Sequence, residues 1–354
     1  MLLETIAARK LLIALMKRSG SDTNEAEIVA GHAVESSLAG HDSHGIVRLP
    51  QYVRAVYDGT LSTNRHPKTL IETDSLLVLD GQRGYGHVAA AEATERMITK
   101  ARSSGIAMFA LHNVGHLGRI GTYAERAAEE GQATIYFANA PRPGGATIAP
   151  HNGSDRRLNS GPVCLGMPAK GSDPIVLDMA TAAVAIGKIR VARNEHKPLP
   201  EACVLDAEGR LTDDPLAFFG PPMGSLLPFG GHKGAGLNIF TDLFGGILAG
   251  GDANYEGEST GWYPTNNALG IHIDPAKFGD PDLIADQVRA YRAWVKASPP
   301  REGEEVLMPG ERLANTRRKR AGKVEISDAT WSQIAEVAAL YGLTEADLHR
   351  AIED

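Results

Sequence analysis

The sequence predicts an α/β fold in which a central α/β unit is inserted into a discontinuous helical unit built from both chain ends. Three observations carry this reading. Strand and helix patterns alternate β-α-β-α-β between Leu76 and Asn139, helical patterns dominate toward both ends, and the composition is that of an ordinary globular protein. The helical unit is placed at residues 1–74 plus 282–354 and the α/β unit at 75–281.

With 354 residues the chain has room for about two domains of roughly 100–200 residues each. Its hydrophobic share of 43% and charged share of 22% need no covalent staples for a core. The net charge of -7 favours solubility and argues against a broad nucleic-acid or membrane surface. The basic run Arg317-Arg318-Lys319-Arg320 is the exception and reads as an exposed charged face. Cys164 and Cys203 stand outside any CxxC and read as small buried apolar residues in a reducing compartment. The apolar stretch Leu11–Met16 is far shorter than the roughly 20 residues of a membrane span, and no signal peptide is visible. A cytoplasmic location is expected.

Leu2–Arg18 reads as a helix stopped at Gly20. Asp22 and Glu25 then stand at a capping-box spacing, and Ala30, Ala33, Val34 and Leu38 form a core-facing stripe. Pro50 opens a third helix. Leu76–Asp80, Ile106–Leu111 and Ala133–Asn139 read as strands, with helices at Val88–Ser104 and Arg119–Glu130 between them. Pro141–Gly161, rich in Pro, Gly and Asn, reads as a long functional loop. Strands follow at Ile175–Leu177, Ala202–Leu205 and Leu269–Ile273, a glycine-started helix at about 234–248, and helices from Asp282 onward.

Gly84-Tyr85-Gly86-His87-Val88-Ala89 matches GxGxxA, but the next strand ends in Leu111-His112-Asn113 without the acidic residue of a Rossmann fingerprint. It reads instead as a turn that brings a helix close to a strand. Gly231-His232-Lys233-Gly234 precedes a helix; its amides and Lys233 suit a cofactor phosphate, and an exposed turn explains the same residues. His41-Asp42-Ser43-His44-Gly45-Ile46-Val47-Arg48 concentrates the groups that clamp a carboxylate and move a proton. Were this turn helical, His44 and Arg48 would share a face. His112 and His116 follow a strand, where α/β proteins place chemistry; without the glutamate of HExxH no metal is predicted there. Asp178 ends another strand, as either a cap or a carboxylate that orients a histidine. His32, His66, His151, His196 and His272 read as structural or exposed.

Together these stretches resemble the malate/L-lactate dehydrogenase family of the second type, which includes ureidoglycolate, sulfolactate and 2,3-diketogulonate enzymes. The resemblance spans about Asn24 to Gly342. It rests on GHDSHG at 40–45 with Arg48, Gly86–Ala90, GHLGRIGTYAE at 115–125, LDMAT at 177–181, GHKGAGL at 231–237 and Pro309-Gly310-Glu311. The stretches GSLLPFGGHKG, WVKASP and PGERLANTRRKR look most like the hydroxycarboxylate dehydrogenase B type, which reduces 2-oxo acids such as 2-oxoglutarate and hydroxyphenylpyruvate.

The resemblance implies a non-Rossmann nicotinamide-binding α/β domain, NAD or NADP as cofactor, a 2-oxo or 2-hydroxy acid as substrate, and a homodimer. It implies His44 and His116 as acid/base histidines, with Asp178 supporting His44. Ser43, Arg48 and Asn139 fall at substrate positions. Val176, Leu177, Asp178, Met179, Ala180, Thr181, Ala182, His232, Lys233, Pro309, Gly310 and Glu311 fall at cofactor positions. Two departures, Asn159-Ser160-Gly161-Pro162 for the usual GTNP and Asn139-Ala140 for Asn-Ser, flank the long loop and bear on which acid is used. Two rivals stand beside this reading. One is a metal-dependent hydrolase or lyase using His41, Asp42, His44, His112 and His116; the other is a binding module without activity.

Overall fold

The computed structural model describes residues 1–141, 145–253 and 265–353. The chain opens with β1 (Leu2–Glu4), α1 (Thr5–Arg18), α2 (Thr23–Leu38) and α3 (Leu49–Tyr57). Then come β2 (Lys68–Glu72), β3 (Leu76–Asp80), α4 (Gly86–Ser104), β4 (Ile106–Val114), α5 (Gly121–Glu129) and β5 (Ala133–Asn139). The middle of the chain holds β6 (Pro162–Met167), β7 (Ile175–Ala180), α6 (Ile186–Asn194), β8 (Val204–Leu205), β9 (Leu211–Thr212), α7 (Pro215–Phe219), β10 (Ser225–Leu226) and α8 (His232–Phe240). It closes with β11 (Asn266–Ile273), α9 (Pro281–Lys296), α10 (Glu311–Arg320), β12 (Lys323–Glu325), α11 (Asp328–Ala339) and α12 (Glu345–Glu353).

The mixed sheet of seven strands runs β2-β3-β4-β11-β5-β6-β7, and only β3 and β4 pair in parallel. The predicted alternation survives in direction rather than in adjacency. β11 enters antiparallel between β4 and β5, so those two strands still point the same way. Two further antiparallel steps bring β7 into the same direction as β5. The carboxyl ends of β3, β4, β5 and β7 therefore share one edge, which puts His116 and Asp178 on the same side of the sheet.

Three buried clusters hold the chain. One joins both chain ends: Leu11, Leu12, Leu15, Val29, Leu49 and Val53 pack with Val324, Ile334, Val337 and Leu348. A second lies between the sheet and helices α4 and α5, around Leu77, Leu79, Met97, Leu111 and Tyr136. The third sits on the small β10-β8-β9 sheet with Ile148, Ile189 and Phe218.

Local chemistry explains several boundaries. Asp22 caps α2 by accepting the Glu25 N–H at 2.8 Å. Glu25 does not complete a capping box; its carboxylate accepts the Asn64 N–H instead. The first helix begins after β1 because Leu2–Glu4 pairs with Lys323–Glu325, a long-range partner invisible to local propensity. Gly86 must lack a side chain, since a Cβ there would lie 2.2 Å from the Gly115 oxygen and 2.5 Å from the His116 oxygen. That contact seats α4 against the turn after β4, which is the packing role read from the GxGxxA stretch.

Candidate active site

The turn between α2 and α3 is two single 3₁₀ turns, Asp42–His44 and Ile46–Arg48, broken at Gly45. A Cβ on Gly45 would fall 2.1 Å from Ser37 Oγ, so only glycine lets the turn press onto α2. The conditional i, i+4 face for His44 and Arg48 is therefore absent. Arg48 instead folds back, Nε donating to the Ser43 carbonyl at 2.6 Å and Nη1 to Gln51 Oε1 at 2.8 Å. Ser43 Oγ lies 2.9 Å from His44 Nδ1. From the C-terminal part of the chain, Arg320 clamps Asp42 with two bonds of 2.9 and 3.1 Å.

His116 comes to this turn from the carboxyl edge of the sheet. Its ring stacks on that of His44 with centroids 5.2 Å apart and planes at 29°. His41 meets His44 edge-on at 4.7 Å. Burial lowers both His44 and His116 well below the ordinary histidine range, and the Arg48 charge pushes each further the same way. The two imidazoles are thus stacked against each other, with the Arg48 charge acting on both.

Asp178 is placed differently from the expectation. One oxygen accepts the Gly121 N–H at 2.8 Å, and its strongest histidine partner is His41, not His44. Burial raises the Asp178 carboxyl, while Gly121 N–H, His41 and Arg119 draw it back. Burial lowers His41, and Asp178 opposes that shift. His41 in turn meets the His44 ring edge-on.

Asn139, expected at a substrate position, is engaged within the protein. It is buried, with Nδ2 donating to Asp242 Oδ1 at 3.2 Å and to the Asp252 carbonyl at 2.8 Å. Its Oδ1 accepts from Asn267 at 3.0 Å, so the amide is used up in tying β5 to β11. The two sequence departures nevertheless meet: Asn159 Nδ2 donates to the Ala140 carbonyl at 2.8 Å.

The segments expected to hold a cofactor converge on β7. Val176 N–H donates to the Pro309 carbonyl at 3.2 Å, and a Cβ on Gly310 would lie 3.3 Å from Val176 N. At the other end of the strand, Ala182 bridges to Pro228, next to the exposed His232 and Lys233 at the start of α8. A cavity of about 450 Å³ adjoins that turn, lined by His151, Asn152, Ser154 and Gly231 among others. Leu177, Asp178 and Met179 are half-buried along β7 and Ala180 is exposed. Two members have their side chains engaged within the protein. Thr181 is buried, its hydroxyl donating to the Gly161 carbonyl and accepting from Asn238. Glu311 is buried between Arg292 and Lys296, each at 2.6 Å, and accepts the Met308 N–H; its carboxylate ties α9 to α10.

Sequence reading missed several groups here. Arg119, 2% exposed, pairs with Glu125 beneath Asp178, and Arg317 binds the same carboxylate at 2.7 Å. Arg318 pairs with Asp173. With Arg320 on Asp42, three residues of the basic run are spent on ion pairs rather than forming a free charged face. His41 belonged to the proton-moving stretch and to the metal rival without a role of its own, His87 stood only within the Gly86–Ala90 turn, and Tyr52 drew no reading. Cys164 is buried as expected, while Cys203 is half-buried.

The malate/L-lactate dehydrogenase family model matches residues 4–335. This chain belongs to that family. It is 40% identical over 339 residues to hydroxycarboxylate dehydrogenase B of Escherichia coli K12, covering 95% of this chain and 93% of that protein. It is 32% identical to an L-lactate dehydrogenase of Cupriavidus necator, covering 94% and 95% of the two chains. The solved structure of a sulfolactate dehydrogenase from Methanocaldococcus jannaschii superposes with a TM-score of 0.89 at 31% identity, covering 98% of this chain and 99% of that one. The family match leaves the hydrolase reading without support. No helix among the described residues is long and apolar enough to cross a membrane.

Proposed function

We propose that this chain is an NAD(P)-dependent 2-hydroxycarboxylate dehydrogenase that interconverts a 2-oxo acid and its 2-hydroxy acid. One observation carries the proposal: two stacked imidazoles, His44 and His116, lie within electrostatic reach of the Arg48 guanidinium near the carboxyl ends of the sheet strands. The family's relatives named above act on such acids.

The residues present fit a nicotinamide cofactor bound without a Rossmann fingerprint. Val176–Met179 with Ala180, Ala182, His232, Lys233, Pro309 and Gly310 would hold it. The amides opening α8 and the Lys233 ammonium offer donors to phosphate beside the 450 Å³ cavity. When bound, the nicotinamide supplies a hydride to C2 of the oxo acid or takes it back. Everything else falls to the chain. Arg48 pairs with the substrate carboxylate, its fork already fixed by Ser43 and Gln51. An imidazole of the pair passes a proton to the C2 oxygen. Burial keeps both rings neutral in the free protein, and an incoming carboxylate makes protonation easier.

Purified protein mixed with NADH or NADPH and a panel of pyruvate, oxaloacetate, 2-oxoglutarate, aromatic 2-oxo acids and a cyclic imino acid should consume the reduced cofactor with at least one acid. Loss of its near-ultraviolet absorbance reports this, and no loss with any pair would end the proposal. Arg48→Leu should raise KM for the oxo acid about 10- to 100-fold, since a charge-assisted pair is worth about 1.5–3 kcal/mol. An unchanged KM would remove the clamp.

The working form is a homodimer, and α9 supports this reading. No residue of α9 is buried, and with Phe278 just before it the helix presents Leu283, Tyr291 and Trp294, 57–74% exposed, as an apolar face. Trp294→Glu should shift the protein toward monomer in sedimentation velocity. A wild-type monomer, or a variant that stays dimeric, speaks against that face.

A further inference from the structure

The proposed reaction leaves open how two adjacent histidines divide the work, and the hydrogen bonds behind His116 bear on it. The Gly118 backbone N–H donates to His116 Nδ1 at 3.2 Å. A backbone N–H can only donate, so Nδ1 carries a lone pair, and the hydrogen of the neutral ring is on Nε2, at its opposite edge. Tyr52, buried in the core of the helical unit, brings its hydroxyl to 2.8 Å from the same Nδ1. Behind Tyr52 lies His87 Nε2, at a longer 3.5 Å.

His87 is consistent with the direction that the Gly118 N–H sets. Its Nδ1 is buried with no hydrogen-bond partner among the described residues. A buried bare acceptor is tolerated more readily than an orphaned N–H, so the His87 hydrogen belongs on Nε2. Burial holds the ring neutral, with its pKa lowered to about 3. His87 Nε2 thus faces the Tyr52 oxygen at the far end, and because the Gly118 N–H makes His116 Nδ1 an acceptor, the Tyr52 O–H donates to it.

We propose that Tyr52 is a positioning residue which, with the Gly118 N–H, locks His116 as its Nε2–H tautomer. His116 then serves as a neutral hydrogen-bond donor to the substrate's C2 oxygen, and the proton exchanged with that oxygen travels on His44. Taking the proton of a hydroxy acid at Nε2 would require a lone pair that this tautomer lacks. The role assignment rests on the dehydrogenase reading; the tautomer does not.

Nitrogen NMR of substrate-free, ¹⁵N-histidine-labelled protein tests the tautomer directly, with the His116 signals assigned by their loss in His116→Gln. The expected spectrum shows hydrogen on Nε2 and a bare, hydrogen-bonded Nδ1. Hydrogen on Nδ1 would overturn the proposal. In Tyr52→Phe the His116 signals should move toward a mixture of tautomers, and kcat should fall about tenfold at nearly unchanged KM. An unmoved spectrum with wild-type kcat would overturn the role of Tyr52. His116→Ala should lose about a hundredfold in kcat, and His116→Gln, whose amide can donate where Nε2–H stood, should recover much of it. His44→Gln should show no such recovery over His44→Ala, because an amide carries no proton at neutral pH. Rescue at 44 and not at 116 would reverse the roles. Absence of turnover in wild-type protein would sink the dehydrogenase reading and the role assignment with it, while the spectrum still decides the tautomer.

Discussion

His44→Ala should lower kcat by about 10²–10⁴-fold, the span lost with a positioned proton carrier. KM for the oxo acid should change far less, because Arg48 takes its two fixed bonds from the Ser43 carbonyl and Gln51 rather than from the His44 ring. The variant should fold, since His44 is half-buried at the cleft and outside the three apolar clusters. Steady-state kinetics in both directions checks this, with a thermal melt to confirm the fold. Turnover within a few-fold of wild type would show that the proton does not travel on His44.

Stability should fall steeply on mild acidification. His87 and His272 are buried and held neutral, each with a pKa lowered to about 3 from the ordinary 6.5. Between those two values the unfolded chain binds protons that the folded chain refuses. The stability contributed by the neutral rings is complete above about pH 6.5 and drains away as the pH drops toward 3. From about pH 7.5 to pH 5.5 each ring costs about 1.4 kcal/mol, so the two remove about 3 kcal/mol. His32, His41, His44 and His116 are also lowered by burial and act in the same direction. Asp178 and Glu25, raised by burial, act in the opposite sense, but only lower on the scale where carboxyls titrate. Calorimetric melts across this range should show Tm dropping by several degrees, with net proton uptake on unfolding. A flat or rising Tm would mean that these histidines are charged in the folded protein.

The site was partly legible because its chemistry is dense in sequence. The eight residues from His41 to Arg48 contain the turn, the arginine and two imidazoles, and His116 follows a strand that the apolar pattern marks. What stayed hidden was which group faces which. Asp178, expected to support His44, accepts the Gly121 N–H and feels His41 most among the histidines, because the antiparallel insertions of β11 and β6 set where the end of β7 falls. Asn139 and Glu311 looked like ligand contacts by position, yet their polar atoms are consumed by Asn267, Asp242, Arg292 and Lys296. The basic run looked solvated, and its partners Glu125, Asp173 and Asp42 lie more than a hundred residues away in the chain.

By itself the sequence determined the α/β class, most of the helices and strands and the packing glycine at 86, and it named the histidines and arginine that the fold brings near one another. These follow from local rules: apolar periodicity, caps, and the chemistry that a residue type can perform. Only the tertiary structure decided the strand order, the bond from the Gly121 N–H to Asp178, the closing of Arg320 onto Asp42, and the line from His87 through Tyr52 to His116. Each of those joins residues far apart along the chain, and a hydrogen bond's partner is chosen by geometry at about 3 Å, a distance over which local sequence has no control.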